Sequence, residues 1–388
     1  MYSKFKYIYL LVLTGFSMFL TSCSDDPTST GLGLLDNYIA LNADSSVQTE
    51  SASYFRTAAQ LSSSDRILLG RHGNLKASML VQFALTTIPD TTRNALKNGT
   101  LSVKSATIEM SPVYTIGSSS ANFDFSVHKI KDYWSQYFTA DSISKLSYDA
   151  PNLKTSLDQV DTLYTMHLDN NAVAEMLKDS NYVYSKNYGF YFEPSSNSGR
   201  IVGFQAIALS PIKSIMYMKV VFARQAGGEY TLSFSANNDL HTISGTMPQV
   251  SSTDLVVQGG LAVSSKFMIS TANIPEDAII NSAILELTVD TLNSVLGSPA
   301  SNYLVVKFVT NGSTNSYDST KTTVLNRSGN VFSGNIASHI QRWVNHEANN
   351  GLMISLGDEV RSADLYSFLS SNSASRPRLK ILYTAKKK

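Results

Sequence analysis

The sequence predicts an all-β protein built as two tandem jelly-roll-like antiparallel β-sandwiches, each with one short helix. Three observations carry that expectation. Apolar and polar residues alternate with a period of two along much of the 388-residue chain, as in Tyr230, Leu232 and Phe234 against Thr231 and Ser233. The apolar runs are short and are separated by Ser, Asn, Asp and Gly, the residues that build turns between antiparallel strands. The same succession of strand-like segments occurs twice.

At the amino end, Lys4 and Lys6 flank the start of an apolar stretch, residues 7–20, that is short for a bilayer span. The small residues Thr21 and Ser22 then precede Cys23, the one cysteine of the sequence. Residues 1–22 therefore read as a cleaved leader. The segment resembles the lipobox of bacterial lipoproteins, which implies that Cys23 becomes the first residue and carries acyl chains on its sulfur and amine. Two or more chains, at about 0.8 kcal/mol per buried methylene, make such an anchor stable. Asp25 and Asp26 resemble the acidic surface-export signal of Bacteroidetes lipoproteins, and that resemblance implies a bacterial outer-membrane protein exposed at the cell surface. Residues 23–35 are expected to be the acylated cysteine and a flexible tether, rich in Asp, Pro, Ser, Thr and Gly. With Cys23 given to lipid, no thiol remains for a disulfide, and stability must come from buried apolar area.

The first sandwich is expected over residues 36–224 and the second over 229–385, with the break at 225–228, where Gly227 and Gly228 follow a run ending at Phe222. In the first copy, Leu68, Leu69 and Gly70 lead through residues 79–83 to Ile88 and Pro89, and then to Ser105, Ala106, Thr107, Ile108, Glu109 and Met110. In the second, Val256, Val257 and Gly259 lead through 266–269 to Ile274 and Pro275, and then to Ser282, Ala283, Ile284, Leu285, Glu286 and Leu287. Pro89 and Pro275 lie 186 positions apart but Ser105 and Ser282 only 177, so the first copy carries an insertion, placed at 94–99. Asp169 or Asn170 can cap a short helix bearing Val173, Met176 and Leu177; Asn335 precedes Ile336, Ile340, Trp343 and Val344 on one helical face. A glycine-led strand follows each helix, Gly189 before Phe190 and Phe192, and Gly351 before Leu352 and Ile354. The two-residue period buries those four side chains and turns Tyr191 to the opposite face.

At these residues the chain resembles the DNRLRE, or disaggregatase-related, β-sandwich family, which is itself similar to carbohydrate-binding modules. The second copy carries the family pattern best at its end: the helix with Trp343, then Asn349, Asn350, Gly351 and Leu352, then Arg361 and Ser362, then Arg376, Pro377, Arg378, Leu379, Ile381 and Tyr383. The first carries it in the middle, at Val127, Ile130, Tyr133, Trp134 and Ser135, followed by Tyr148, Asp149, Ala150 and Pro151. The resemblance spans most of residues 50–384, and it implies two sandwiches with a glycan-binding role. The first copy departs from it in having Met176 and Leu177 near the position of the helix Trp, and the second has no Trp near Tyr317 and Asp318.

Motifs for catalysis and cofactors are absent from the sequence. His346 and Glu347 begin a zinc-helix pattern, but position 350 is Asn350 where a second histidine is required. Gly70, Gly73 and Lys76 fit a hairpin turn better than a phosphate loop. No Gly-x-Ser-x-Gly elbow occurs, and the carboxylates are dispersed. A net charge of +1, with no basic stripe outside Lys386, Lys387 and Lys388, argues against nucleic acid. Asn237, Asn238 and Asp239, or Asp124, offer oxygen ligands to a structural calcium, although such residues more often build turns. No cofactor is otherwise expected. Twenty tyrosines supply material for a sugar-stacking platform, and Tyr182, Tyr184 and Tyr191 are the candidate glycan-binding residues. Trp134 and Trp343 are expected in the core. The expected function is non-catalytic binding of an extracellular polysaccharide by a surface lipoprotein; the alternative is a structural or adhesive subunit of a surface protein assembly.

Overall fold

The computed structural model describes residues 38–45, 52–56, 64–135, 137–138, 140–179, 187–207, 216–249, 254–369 and 377–386. Cys23 and the leader, Tyr182 and Tyr184 lie outside the described residues. In chain order the elements begin with β1 (Tyr38–Ser45), β2 (Ala52–Arg56), β3 (Arg66–His72), β4 (Leu75–Phe83), α1 (Asp90–Lys97), β5 (Leu101–Met110), β6 (Pro112–Ile116) and β7 (Phe125–Lys129). They continue through α2 (Ala140–Ser144), β8 (Lys154–Val160), β9 (Leu163–Leu168), α3 (Asn170–Asp179), β10 (Phe190–Pro194), β11 (Ile201–Gln205), β12 (Tyr217–Arg224) and β13 (Glu229–Ser244). The second half contributes β14 (Leu255–Gln258), β15 (Val263–Phe267), β16 (Ile279–Thr288), β17 (Tyr303–Asn311), β18 (Ser316–Ser328), β19 (Val331–Asn335), α4 (Ala337–Val344), β20 (Leu352–Leu356), β21 (Leu365–Phe368) and β22 (Arg378–Lys386).

The fold is an all-β sandwich architecture, as the alternation predicts. The strands form two antiparallel sets. One runs β6-β11-β3-β4-β13-β12-β5-β9-β8, with β10 on β4 and β7; the other runs β1-β22-β16-β19-β18-β17-β20-β15-β14-β21, with β2 on β15. Each set closes over its own core. Phe83, Phe125, Phe190, Phe192, Phe204 and Phe222 lie in the first, and Phe267, Phe308, Phe332, Phe368, Tyr366 and Trp343 in the second. Full burial of each such side chain contributes about 1.5–3 kcal/mol. Trp134 and Trp343 are both buried, as expected.

The repeat read from the sequence is visible in the backbone. Tyr217 opposes Glu109 in the first set, and Arg378 opposes Glu286 in the second. Phe190 opposes Val81 as Leu352 opposes Phe267. The glycine-led strands share one device. Gly189 has φ +87° and Gly351 φ +90°, and a Cβ on either would run into the carbonyl oxygen of Val81 or Phe267. Asn187 accepts from the Gly189 amide and donates to Phe83 O, while Asn349 accepts from the Gly351 amide and donates to Ile269 O. The helix starts also correspond, since the Asp169 carboxylate accepts from Ala172 N and the Asn335 amide oxygen from Ala337 N.

The break expected at 225–228 does not separate the two sheets. Those residues are the turn joining β12 to β13, and β13 belongs to the first set: its first half pairs with β12, and after an irregularity between Ala236 and Asn238 its second half pairs with β4. Residues 229–244 thus close the first sandwich, although they open the second copy of the repeat. Conversely, β1 and β2, from the start of the first copy, pair with β22 and β15 in the second set. The registers match. Ser45 opposes Leu379 as Phe234 opposes Met218, and Ala52 opposes Phe267 as Asp239 opposes Val81. The two copies have traded their closing strands.

One smaller expectation is also corrected. The first sandwich carries three helices, α1, α2 and α3, where one was expected. The insertion at 94–99 is the end of α1, which fills space between the Ile88-Pro89 turn and β5 with Thr92 and Leu96 buried. A third apolar cluster joins the sandwiches, with Leu68, Leu75, Ala77, Tyr114, Ile116, Ile201 and Ile243 from the first and Leu261, Val263 and Ala363 from the second. Tyr114 is its key. The hydroxyl donates to the buried Asp364 carboxylate at 3.0 Å and accepts from Ala363 N at 3.0 Å. Asp364 also accepts from Gly297 N and Ser301 N, at 2.6 and 2.7 Å. Beside it, Arg361 bridges Asp65 of the first sandwich and Asp358 of the second.

Candidate functional site

The alternation along β10 determines how Tyr191 is presented. Phe190 and Phe192 are fully buried in the first core, and Tyr191, facing the other way, is half-buried against a satellite cluster of Leu80, Ile130, Trp134, Ile143 and Leu240. That cluster exists because residues 131–148 fold back over the outer surface of the sheet. Trp134 anchors the segment, with its indole N–H donating to Tyr188 O at 2.5 Å, and Tyr148 returns to pair with Ile130. The return brings three rings together at tilted angles. Tyr148 lies 4.9 Å from Tyr191, at an interplanar angle of 38°, and 5.1 Å from His128.

His128 is held from both sides. Its Nδ1 faces the carbonyls of Asp149 and Pro151 at 3.0 and 3.1 Å and so carries the proton, leaving Nε2 to accept from the Ser126 hydroxyl at 2.8 Å. A charged rim borders the rings. Lys76 pairs with Glu193 at 2.6 Å, and Lys131 with Asp149 at 3.0 Å. Burial raises the Tyr191 hydroxyl above its ordinary pKa, opposed by a hydrogen bond with Ser78. Burial, and secondly the Glu193 carboxylate, raise that of Tyr148. Both phenols therefore stay neutral, with hydroxyls that donate as well as accept. Tyr148 is 37% exposed, and on the covering segment Tyr133 and Tyr137 are 70% and 78% exposed. The arrangement is an aromatic ledge with polar groups along its border, suited to stacking a ring that carries hydroxyls.

Sequence reasoning found one member of this ledge, Tyr191, through its alternation with Phe190 and Phe192. It missed Tyr148, His128 and Glu193, which no local pattern connects. It also missed a surface groove of about 640 Å³ at the end of the first sandwich, lined by Thr91, Thr92, Thr100, Arg224, Gln225 and Tyr230. There Tyr230 stacks on Phe222 at 5.2 Å and bonds Thr92 at 3.0 Å, while the Arg224 guanidinium lies 4.8 Å from its ring centre. Arg224 and Gln225 lie at the expected break, where the sequence marks a boundary and no binding surface.

The calcium candidates do not converge. Asp124 pairs with Lys154 at 2.5 Å, and Asp239 is half-buried with its carboxylate accepting from Ile207 N at 2.8 Å. Among the described residues no group of three or more His, Cys, Asp or Glu is placed to hold a metal ion, and no helix is long and apolar enough to cross a membrane. Glu347, of the zinc-like pair, is bonded to Arg342 at 2.7 Å. No family model matches this chain, and no curated protein matches it either.

Proposed function

We propose that this protein is a non-catalytic surface lipoprotein, anchored through acylated Cys23, that binds an extracellular polysaccharide on the ledge formed by Tyr148, Tyr191 and His128. The observation that carries the reading is the close, tilted Tyr148–Tyr191 pair, with Tyr148 open to solvent and the Glu193–Lys76 pair beside it. Sugar C–H faces pack on such rings, and the bordering charges and phenols bond the hydroxyls. The resemblance to the DNRLRE family supports the same reading. Affinity electrophoresis against a polysaccharide panel tests it: the parent chain is retarded by at least one polymer, and Tyr148→Ala weakens that binding roughly 2- to 12-fold, the worth of one aromatic contact of about 0.5–1.5 kcal/mol. Retardation by no polymer defeats the reading, and loss on Tyr230→Ala but not on Tyr148→Ala moves the site to the groove. The anchor has its own test. Cys23→Ser should move the protein out of the membrane fraction or leave its leader attached; a processed Cys23→Ser chain that fractionates as before would refute it.

A further inference from the structure

We propose that β1 and β2 form an exchangeable closing strand and that two copies of this chain associate by trading it, the β1–β2 segment of one copy closing the second sandwich of the other. The chain already makes this exchange within itself. β13 belongs to the second copy of the repeat yet completes the first sandwich, while β1 and β2, its counterparts in register, complete the second. A closing strand in this architecture is therefore not bound to the sandwich its own repeat encodes. The seat in the second sandwich takes β1 and β2 by register, whichever copy of the chain supplies them.

The two seats are filled by closing strands of different continuity. β13 is one continuous strand, its first half paired with β12 and its second half with β4. β1 is the terminal strand of its order, paired with β22 alone, and β2 lies off the path, paired with β15 alone. Removing β1 and β2 leaves every other ladder of the second set intact. An identical strand from a second copy restores the same hydrogen bonds, so the exchange changes no contact type and its extent follows from local concentration. Residues 57–63, which join β2 to β3, span at most about 25 Å when fully extended, which bounds how far apart the exchanging copies can sit.

Cysteine pairs read the exchange directly. Asn42 and Leu382 are opposed across β1 and β22, and the Cα separation of opposed antiparallel residues, about 4.5–5.5 Å, lies within disulfide range. Full-length Asn42→Cys and Leu382→Cys chains are co-expressed, extracted in detergent, oxidised and mapped by mass spectrometry, with Cys23-linked peptides set aside. A disulfide between residue 42 of one chain and residue 382 of the other is the expected result. The chain carrying both substitutions serves as the reference for the bond within one copy. If that reference closes while the co-expressed single variants give no 42–382 bond, the strand stays at home and the proposal fails. Asp44→Cys with Lys380→Cys repeats the experiment one register step away. Should neither pair bond within or between chains, β1 does not occupy this seat and the proposal falls with it.

Discussion

Asp239 and His241 stand two positions apart on β13, and burial acts on them in opposite senses. Burial pushes the Asp239 carboxyl up to about 6, against the hydrogen bond from Ile207 N. Its contribution to stability is whole below about pH 4 and is lost as pH rises through 6, an effect of about 3 kcal/mol. Asp239→Asn keeps an acceptor for Ile207 and removes the charge. Its urea midpoint should exceed the parent's at pH 8 and fall level with it at pH 3.5. His241 is fully buried beside Val360, with both ring nitrogens short of hydrogen-bond geometry, and burial lowers its pKa to about 4. Here the contribution is whole above about pH 6.5 and is lost as pH falls through 4, so His241→Leu should flatten the acid side of the stability profile by about 3 kcal/mol. Tyr114→Phe addresses the joint between the sandwiches. It leaves Ala363 N without its acceptor and Asp364 with one donor fewer, and should cost about 1–3 kcal/mol by denaturant unfolding.

Among the elements, the glycine-led strands were the most legible, because an apolar-x-apolar run after glycine states both the strand and its buried face. Gly189→Ala and Gly351→Ala should each destabilise by more than about 1 kcal/mol, since both positions hold positive φ and press against a neighbouring carbonyl. Measured side by side, the two losses should be similar, as the two turns are equivalent. The partner of a strand was not legible in this way. Period-two alternation specifies which face of 229–244 is apolar, but an edge that bonds β12 and β4 looks the same in sequence as one that would bond β22 and β15. The aromatic ledge was hidden for a related reason. Tyr148 reaches Tyr191 only because residues 131–148 double back under Trp134, a contact between segments that spacing along the chain does not encode.

For the molecule as a whole, the repeat boundaries were readable and the folding units were not. Residues 64–249 contain every strand of the first sandwich, whereas 36–224 is one complete repeat but lacks β13. Expressed alone, 64–249 should give a cooperative thermal transition by near-ultraviolet circular dichroism, and 36–224 should not; a cooperative transition for 36–224 would mean that β1 and β2 can close the first sandwich. The crossed strands also tie the two halves together more firmly than their shared cluster would alone, because neither half can open without losing chain that belongs to the other. The antiparallel register that sets Tyr38 beside Lys386 has a mechanical outcome. Tension drawn through the chain ahead of Tyr38, along the axis of the strand, loads its whole eight-residue ladder in shear rather than peeling it bond by bond. A protein hauled on from that side would resist by gripping its own tail.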